Sequence, residues 1–170
     1  EFVLQYLRLE SMSSDLLIKR YSLDETVRQA VRKYAKMFIR KRIGLSYDEI
    51  SCQVLTDEKW LSFVIEQILS NAIKYTPKGG KIFIYMDESK EKTLVIEDTG
   101  IGISPEDLPR ISERGFTGYI GRADKKSTGL GLYLCKQILT KLSHKMHIES
   151  TVDKGTKVFI DVAEIHLEVE

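Results

Sequence analysis

The order of hydrophobic patterns along these 170 residues predicts an α/β sandwich, a layer of helices on one mixed sheet. Three observations predict it. Segments 57–75 and 129–142 carry helical spacing. Segments 81–98 and 146–165 each read as a β-hairpin around a short polar turn. Helices and strands follow one another throughout the chain, with no internal repeat and no low-complexity stretch.

Composition agrees with a folded domain. Apolar residues make up 42% and charged residues 30%, and 170 residues suffice for one sizeable core. The formal net charge of +1 gives no reason to expect nucleic acid or an anionic membrane as partner. Cys52 and Cys135 form no CxxC and read as reduced thiols rather than a disulfide or zinc site. No apolar run approaches the roughly 18–20 residues that span a bilayer. The chain shows no signal peptide and starts at Glu1 without a Met, which reads as a piece of something longer.

Taken in order, residues 2–18 have mostly helical spacing with a break near Ser13-Ser14. A helix is expected from about Ser22 to Phe38, where Ser22 and Glu25 have the form of a capping box. "IGLSYDEI" and "CQVLTD" read as short strands around a turn. The strongest helix runs from about Asp57 to Tyr75, capped by Thr56 or Asp57 and ended by Pro77 with Gly79-Gly80. "KIFIYMDE" (81–88) and "TLVIED" (93–98) form the first hairpin. Residues 99–128 have no period; so long an irregular stretch in a compact domain suggests a functional lid or disorder. A helix follows from about Gly129 to Leu142. "MHIEST" and "TKVFIDVAEI" close the chain as a hairpin around Asp153–Gly155.

Four places carry candidate chemistry. On the 57–75 helix, Asn71 points within about 40° of Trp60, Val64 and Tyr75, on the apolar face. Either it is a core amide bonded to backbone, or its carbonyl meets a cation or ligand in a pocket. Lys74 is either a solvated lysine or an ammonium reaching that same pocket. Asp98 ends a strand ahead of Gly100 and Gly102. A dinucleotide fingerprint would need glycine where Pro105 stands, and no Walker loop exists. The segment is then either an Asp-Thr-Gly turn or a pocket wall, with Asp98 accepting a hydrogen bond from a ligand amine. "STGLGL" (127–132) opens a helix with Gly129 and Gly131 exposing amides, either as a flexible start or as a phosphate site. Thr156, after Gly155, opens a strand where its hydroxyl would back up Asp98.

"QILSNAIKYT", "EDTGIGI" and "STGLGLYLCKQI" resemble, in this order, the N, G1 and G2 boxes of sensor histidine kinase ATP-binding domains, and "DKGTKVF" is similar to that family's Gly-Thr box. The likeness covers about residues 20–165. "YLRLES", "ERGFTG" and "STGLGLYL" further resemble the kinases that work beside peptide-antibiotic transporters, the bacitracin and cationic-peptide responders. The resemblance implies the GHKL, or Bergerat, two-layer sandwich, a mixed sheet covered on one face by about three helices. It implies ATP and Mg²⁺ as cofactors, with Asn71 the metal ligand, Lys74 a phosphate contact and Tyr75 lining the nucleotide site. Asp98 would accept the adenine amine, with Gly100, Gly102, Ile103 and Thr156 around the base. Thr128, Gly129, Leu130, Gly131 and Leu132 would wrap the phosphates, and residues 104–127 would be the lid.

Some positions depart from that pattern. Gln67 stands where Asn is usual, Ser127 replaces the first glycine of the G2 box, and Ser112 interrupts the Phe-x-Pro-Phe lid motif, a role Phe116 is positioned to fill. His144, His147 and His166 all come late and lack the context of a phosphoacceptor. The resemblance therefore implies residues 1–20 as the tail of a helical dimerisation hairpin and linker, and 21–170 as the catalytic domain. The implied partners are the kinase's own histidine-bearing domain, a response regulator and, in the intact protein, a peptide-antibiotic ABC transporter. A cytoplasmic domain of a bacterial membrane protein, itself touching neither nucleic acid nor membrane, completes the expectation. A GHKL ATPase or an anti-sigma serine kinase is the alternative. The ATPases need a catalytic Glu on the N-box helix, and Glu66 lies about 140° from Asn71.

Overall fold

A computed structural model describes residues 16–111, 113 and 131–164. The expected helix in residues 2–12 and most of the expected lid lie outside these. In chain order come β1 (Lys19–Ser22), α1 (Leu23–Lys33), α2 (Ala35–Lys41), β2 (Gly44–Tyr47), β3 (Gln53–Thr56) and α3 (Glu58–Tyr75). Then follow β4 (Lys81–Met86), β5 (Thr93–Asp98), a short 3₁₀ turn (Leu108–Arg110), α4 (Gly131–Lys141), β6 (Lys145–Thr151) and β7 (Gly155–Asp161). Among the described residues the main sheet has the order β2-β4-β5-β7-β6, with β1 and β3 forming a separate antiparallel ribbon. β2 runs parallel to β4 and the other neighbours are antiparallel, so the sheet is mixed as expected.

The two hairpins form where the alternation places them. Their pairing aligns three inward rows across the sheet. Met86, Leu94, Ile160 and Met146 make the first, and Ile84, Ile96, Val158 and Ile148 the second. Leu94, Ile96 and Ile160 are essentially inaccessible to water. Over these rows lies the helical layer. α3 contributes Leu61, Ile65, Ile68, Leu69 and Ile73, α1 contributes Leu23 and Val27, and α4 contributes Leu134 and Ile138, all buried. Burial of apolar area at about 25 cal/mol per Å² is what holds the helices on the sheet.

The N-terminal third differs from its sequence reading in several respects. The expected helix from Ser22 to Phe38 is two helices, because Tyr34 leaves the helical region (φ −103°, ψ 10°). The break lets Phe38 turn into the core while Ile39 remains 77% exposed. The strands at 44–47 and 53–56 exist but do not pair with each other. Asp24 on α1 explains this: its Oδ1 accepts from Tyr47 Oη at 2.6 Å and from Ile50 N at 3.4 Å. The chain is thereby held against α1 between the strands, with Ile50 buried, and β3 is delivered to β1 instead. β1 itself is too short and polar to announce itself as a strand. The hydroxyl half of the Ser22 capping box is present, with Glu25 N donating to Ser22 Oγ at 3.2 Å, whereas the Glu25 carboxylate faces Arg32 at 3.6 Å.

Candidate functional site

The third inward row breaks the apolar pattern. Ile82, Asp98, Thr156 and Ser150 stand side by side across β4, β5, β7 and β6. Each of the last three strands thus carries two apolar residues and then a polar one on its inner face. Asp98 is only 9% exposed. Its carboxylate accepts from Gly100 N at 2.8 Å and from the backbone N–H of Thr156. Burial raises its pKa to about 6 from 3.8, and those two amides oppose the rise.

The C-terminus of α3 closes the other side. A helix leaves its last four carbonyls unpaired, and here each finds a donor. Thr76 Oγ1 donates to Ala72 O at 2.6 Å, and Lys41 Nζ to Ile73 O at 2.7 Å and Lys74 O at 3.2 Å. Ile101 N donates to Tyr75 O at 3.2 Å. That last bond joins the loop after Asp98 to the end of α3. Gly100 is there because a Cβ would lie 2.5 Å from Tyr75 O and 2.8 Å from Asp98 Oδ1. Gly102 has φ +74°, and a side chain on it would collide with the carbonyl of Thr151. Both glycines therefore answer to close approaches within the protein, which bring α3 and the β6–β7 hairpin against the Asp98 loop.

Asn71, Lys74, Tyr75, Ile103 and Thr156 fall around this junction. Asn71 is partly buried, one turn before the end of α3. Lys74 is exposed, with Nζ 5.3 Å from the centre of the Tyr75 ring, and Tyr75 is partly buried. Ile103 N donates to Ser150 Oγ at 2.8 Å. Thr156 lies opposite Asp98 across the β5–β7 pair, and its hydroxyl is 2.7 Å from Ser150 Oγ. Gly131 and Leu132 are the first residues of α4; Thr128, Gly129 and Leu130 lie outside the described residues. Glu66 is bonded to Lys33 of α1 at 2.9 Å, away from this junction. His144 is buried with Nε2 3.0 Å from Thr56 Oγ1, and His147 is 3.2 Å from Glu149; His166 is outside the described residues.

Sequence reading missed Ser150 and Lys41. Ser150 had a signal: it occupies the inward parity of Met146 and Ile148, where an apolar residue is expected. Lys41 had none, because its target carbonyls lie 32 and 33 residues away.

These elements form an α/β sandwich whose inner sheet face ends in a buried acid, joined through the Gly100 loop to a helix carrying Asn71 and Lys74. Residues 56–166 match the family model "Histidine kinase-, DNA gyrase B-, and HSP90-like ATPase", and the chain belongs to that family. It is 39% identical over 150 residues to the sensor protein BceS of Halalkalibacterium halodurans, covering 88% of this chain and 45% of that protein. It is 40% identical over 150 residues to the sensor histidine kinase GraS of Staphylococcus haemolyticus, covering 88% and 44%. The chain spans about half the length of these curated relatives. The mycobacterial sensor histidine kinase MprB shares the fold, with a TM-score of 0.73 at 23% identity over 86% of this chain and 97% of that one. This is the ATP-binding domain type of two-component sensor kinases, and the relatives include the BceS and GraS kinases of the subgroup its sequence phrases resemble. Among the described residues no helix is long and apolar enough to cross a membrane.

Proposed function

We propose that this chain binds ATP with Mg²⁺ and presents the γ-phosphate to a histidine on a helical domain of the same kinase, from which a response-regulator aspartate is then served. The observation that carries this reading is the placement of Asp98, an acceptor in a buried position between the inner sheet face and the end of α3. A carboxylate there accepts from an exocyclic amine, which is how it would choose adenine. Thr156, Gly100, Gly102 and Ile103 line the base, and Tyr75 flanks it. Lys74 and the first amides of α4, at Gly131 and Leu132, face phosphate oxygens, and the resemblance adds Thr128, Gly129 and Leu130 to them.

The donor set fits Mg²⁺ bound through its substrate. Mg²⁺ favours oxygen ligands, keeps several waters and is usually held by one or two protein groups plus phosphates. Asn71 supplies one amide oxygen, and among the described residues no cluster of three or more His, Cys, Asp or Glu competes as a dedicated metal cage. When bound, the ion would neutralise charge on the phosphates. The chain's own residues hold and orient the nucleotide, which suits a phosphoryl transfer dominated by positioning and electrostatics. Lys33 engages Glu66, which favours the kinase reading over an ATPase using that acid as base. The histidine kinase ThkA has been solved in complex with the response regulator TrrA, and ShkA with AMPPNP, which supports both classes of partner here. In the intact protein we place this domain on the cytoplasmic side of a membrane-anchored kinase, beside a peptide-antibiotic transporter.

The test is reconstitution. The chain is mixed with a separately made histidine-bearing hairpin from the same kinase, ATP and Mg²⁺. Acid-labile, base-stable phosphate should appear on the hairpin and vanish with Asn71→Ala. Phosphate release into solution with an unlabelled hairpin would contradict the kinase reading.

A further inference from the structure

Ser150 is a residue that neither the sequence motifs nor the family assignment singles out. It stands at the end of the polar row and makes three contacts through one hydroxyl. Ile103 N reaches Ser150 Oγ at 2.8 Å, Ser150 Oγ reaches Gly155 O at 3.0 Å, and Thr156 Oγ1 lies 2.7 Å away. The proton assignment follows from donor counting. Ile103 N–H can only donate, and Gly155 C=O can only accept. Ser150 owns a single hydroxyl proton, and it goes to Gly155 O. All three contacts are satisfied together in one arrangement alone: Ser150 donates to Gly155, and Thr156 donates to Ser150.

The Thr156 proton is therefore committed away from Asp98, and what Thr156 has left are lone pairs. Asp98, its neighbour in the row, is an acceptor already holding two backbone amides. We infer that Ser150 is a positioning residue that fixes Thr156 as an acceptor, so that Thr156 and Asp98 offer the group at position 6 of a purine only acceptors. The inference rests on the ATP-binding reading above and adds the origin of its base specificity. A purine with an amine at position 6 meets these two acceptors with its N6 hydrogens, while its N1 is an acceptor that looks elsewhere. Inosine carries a carbonyl at position 6, which meets them acceptor to acceptor, and its donor is one atom away at N1. An unpaired or mismatched buried polar group is costly, and sites built to pair with one discriminate strongly.

Removing Ser150 Oγ would free the Thr156 proton to turn toward the pocket and donate to a 6-carbonyl. The experiment titrates ATP and inosine triphosphate into the 170-residue chain by calorimetry, for wild type, Ser150→Ala, Ser150→Thr and the Ser150→Ala/Thr156→Val double variant. The expected result is a Kd ratio favouring ATP in wild type that narrows roughly tenfold in Ser150→Ala, as a change of one hydrogen bond's polarity implies. Ser150→Thr, which keeps the hydroxyl, restores the ratio. The double variant, which has no proton to release, regains discrimination against inosine. If Ser150→Ala does not fold, Ser150→Cys, a weak acceptor, gives the same readout with a smaller narrowing. Equal weakening of both nucleotides in Ser150→Ala overturns the inference while leaving the ATP-binding reading intact. A wild-type chain that binds neither nucleotide overturns that reading and the inference with it.

Discussion

At the residue scale, burial at Asp98 raises its pKa to about 6 from 3.8. A raised carboxyl pKa means that folding favours the protonated form. Its stability contribution is fully present below 3.8 and is lost as pH climbs through about 6. Asp98→Asn removes the charge. In the absence of nucleotide this variant should gain on wild type as pH rises from 4 to 7, by roughly 1–3 kcal/mol, read from melting curves across that range. His144 has the opposite sign. Burial lowers it to about 4 from 6.5, so its contribution is present above 6.5 and is lost as pH falls toward 4. The wild type should lose up to roughly 3 kcal/mol through that window, and His144→Gln should flatten that part of the profile in urea unfolding at pH 7 and pH 4.5. The two residues also show what a single position discloses. Asp98 announced itself by ending an apolar strand ahead of two glycines. His144 did not, because its burial against Thr56 joins residues 88 apart.

At the element scale, α3 was legible almost to the residue. Asp57 caps it, with Asp57 Oδ1 accepting from Trp60 N at 3.3 Å, and its apolar spacing requires a covered face. Both long hairpins were legible because alternation and turn residues coincide. The β2 and β3 pairings were not, since four-residue strands carry little pattern and their partners were chosen by the Asp24 contacts to Tyr47 and Ile50. The polar row had the intermediate status that tertiary structure gives. Each of its members has inward parity in its own strand, yet only strand register aligns Asp98, Thr156 and Ser150. Lys41→Met removes the donor to two α3 carbonyls and should cost about 1 kcal/mol, seen as a fall in Tm of about 2–4 °C. Gly100→Ala forces a Cβ to 2.5 Å from Tyr75 O, so backbone must move. It should cost roughly 1–3 kcal/mol and also weaken nucleotide binding, because the same shift displaces Asp98 from Gly100 N.

For the whole molecule, helices and sheet are arranged so that their shared core ends in a polar wall, and the helix end and loop that border it are tied by backbone bonds. Fold and family follow from sequence and structure together. A nucleotide that binds only the folded chain should stabilise it by about 2.7 kcal/mol at one hundred times its Kd, an upward Tm shift that depends on concentration. The measurement closest to the central claim is a calorimetric comparison of ATP and GTP binding, in Mg²⁺, by wild type and Asp98→Asn. The account predicts that wild type binds ATP and strongly disfavours GTP, and that Asp98→Asn loses most of the ATP affinity while remaining folded. Equal ATP affinity in the two proteins, or a wild-type preference for GTP, would contradict it.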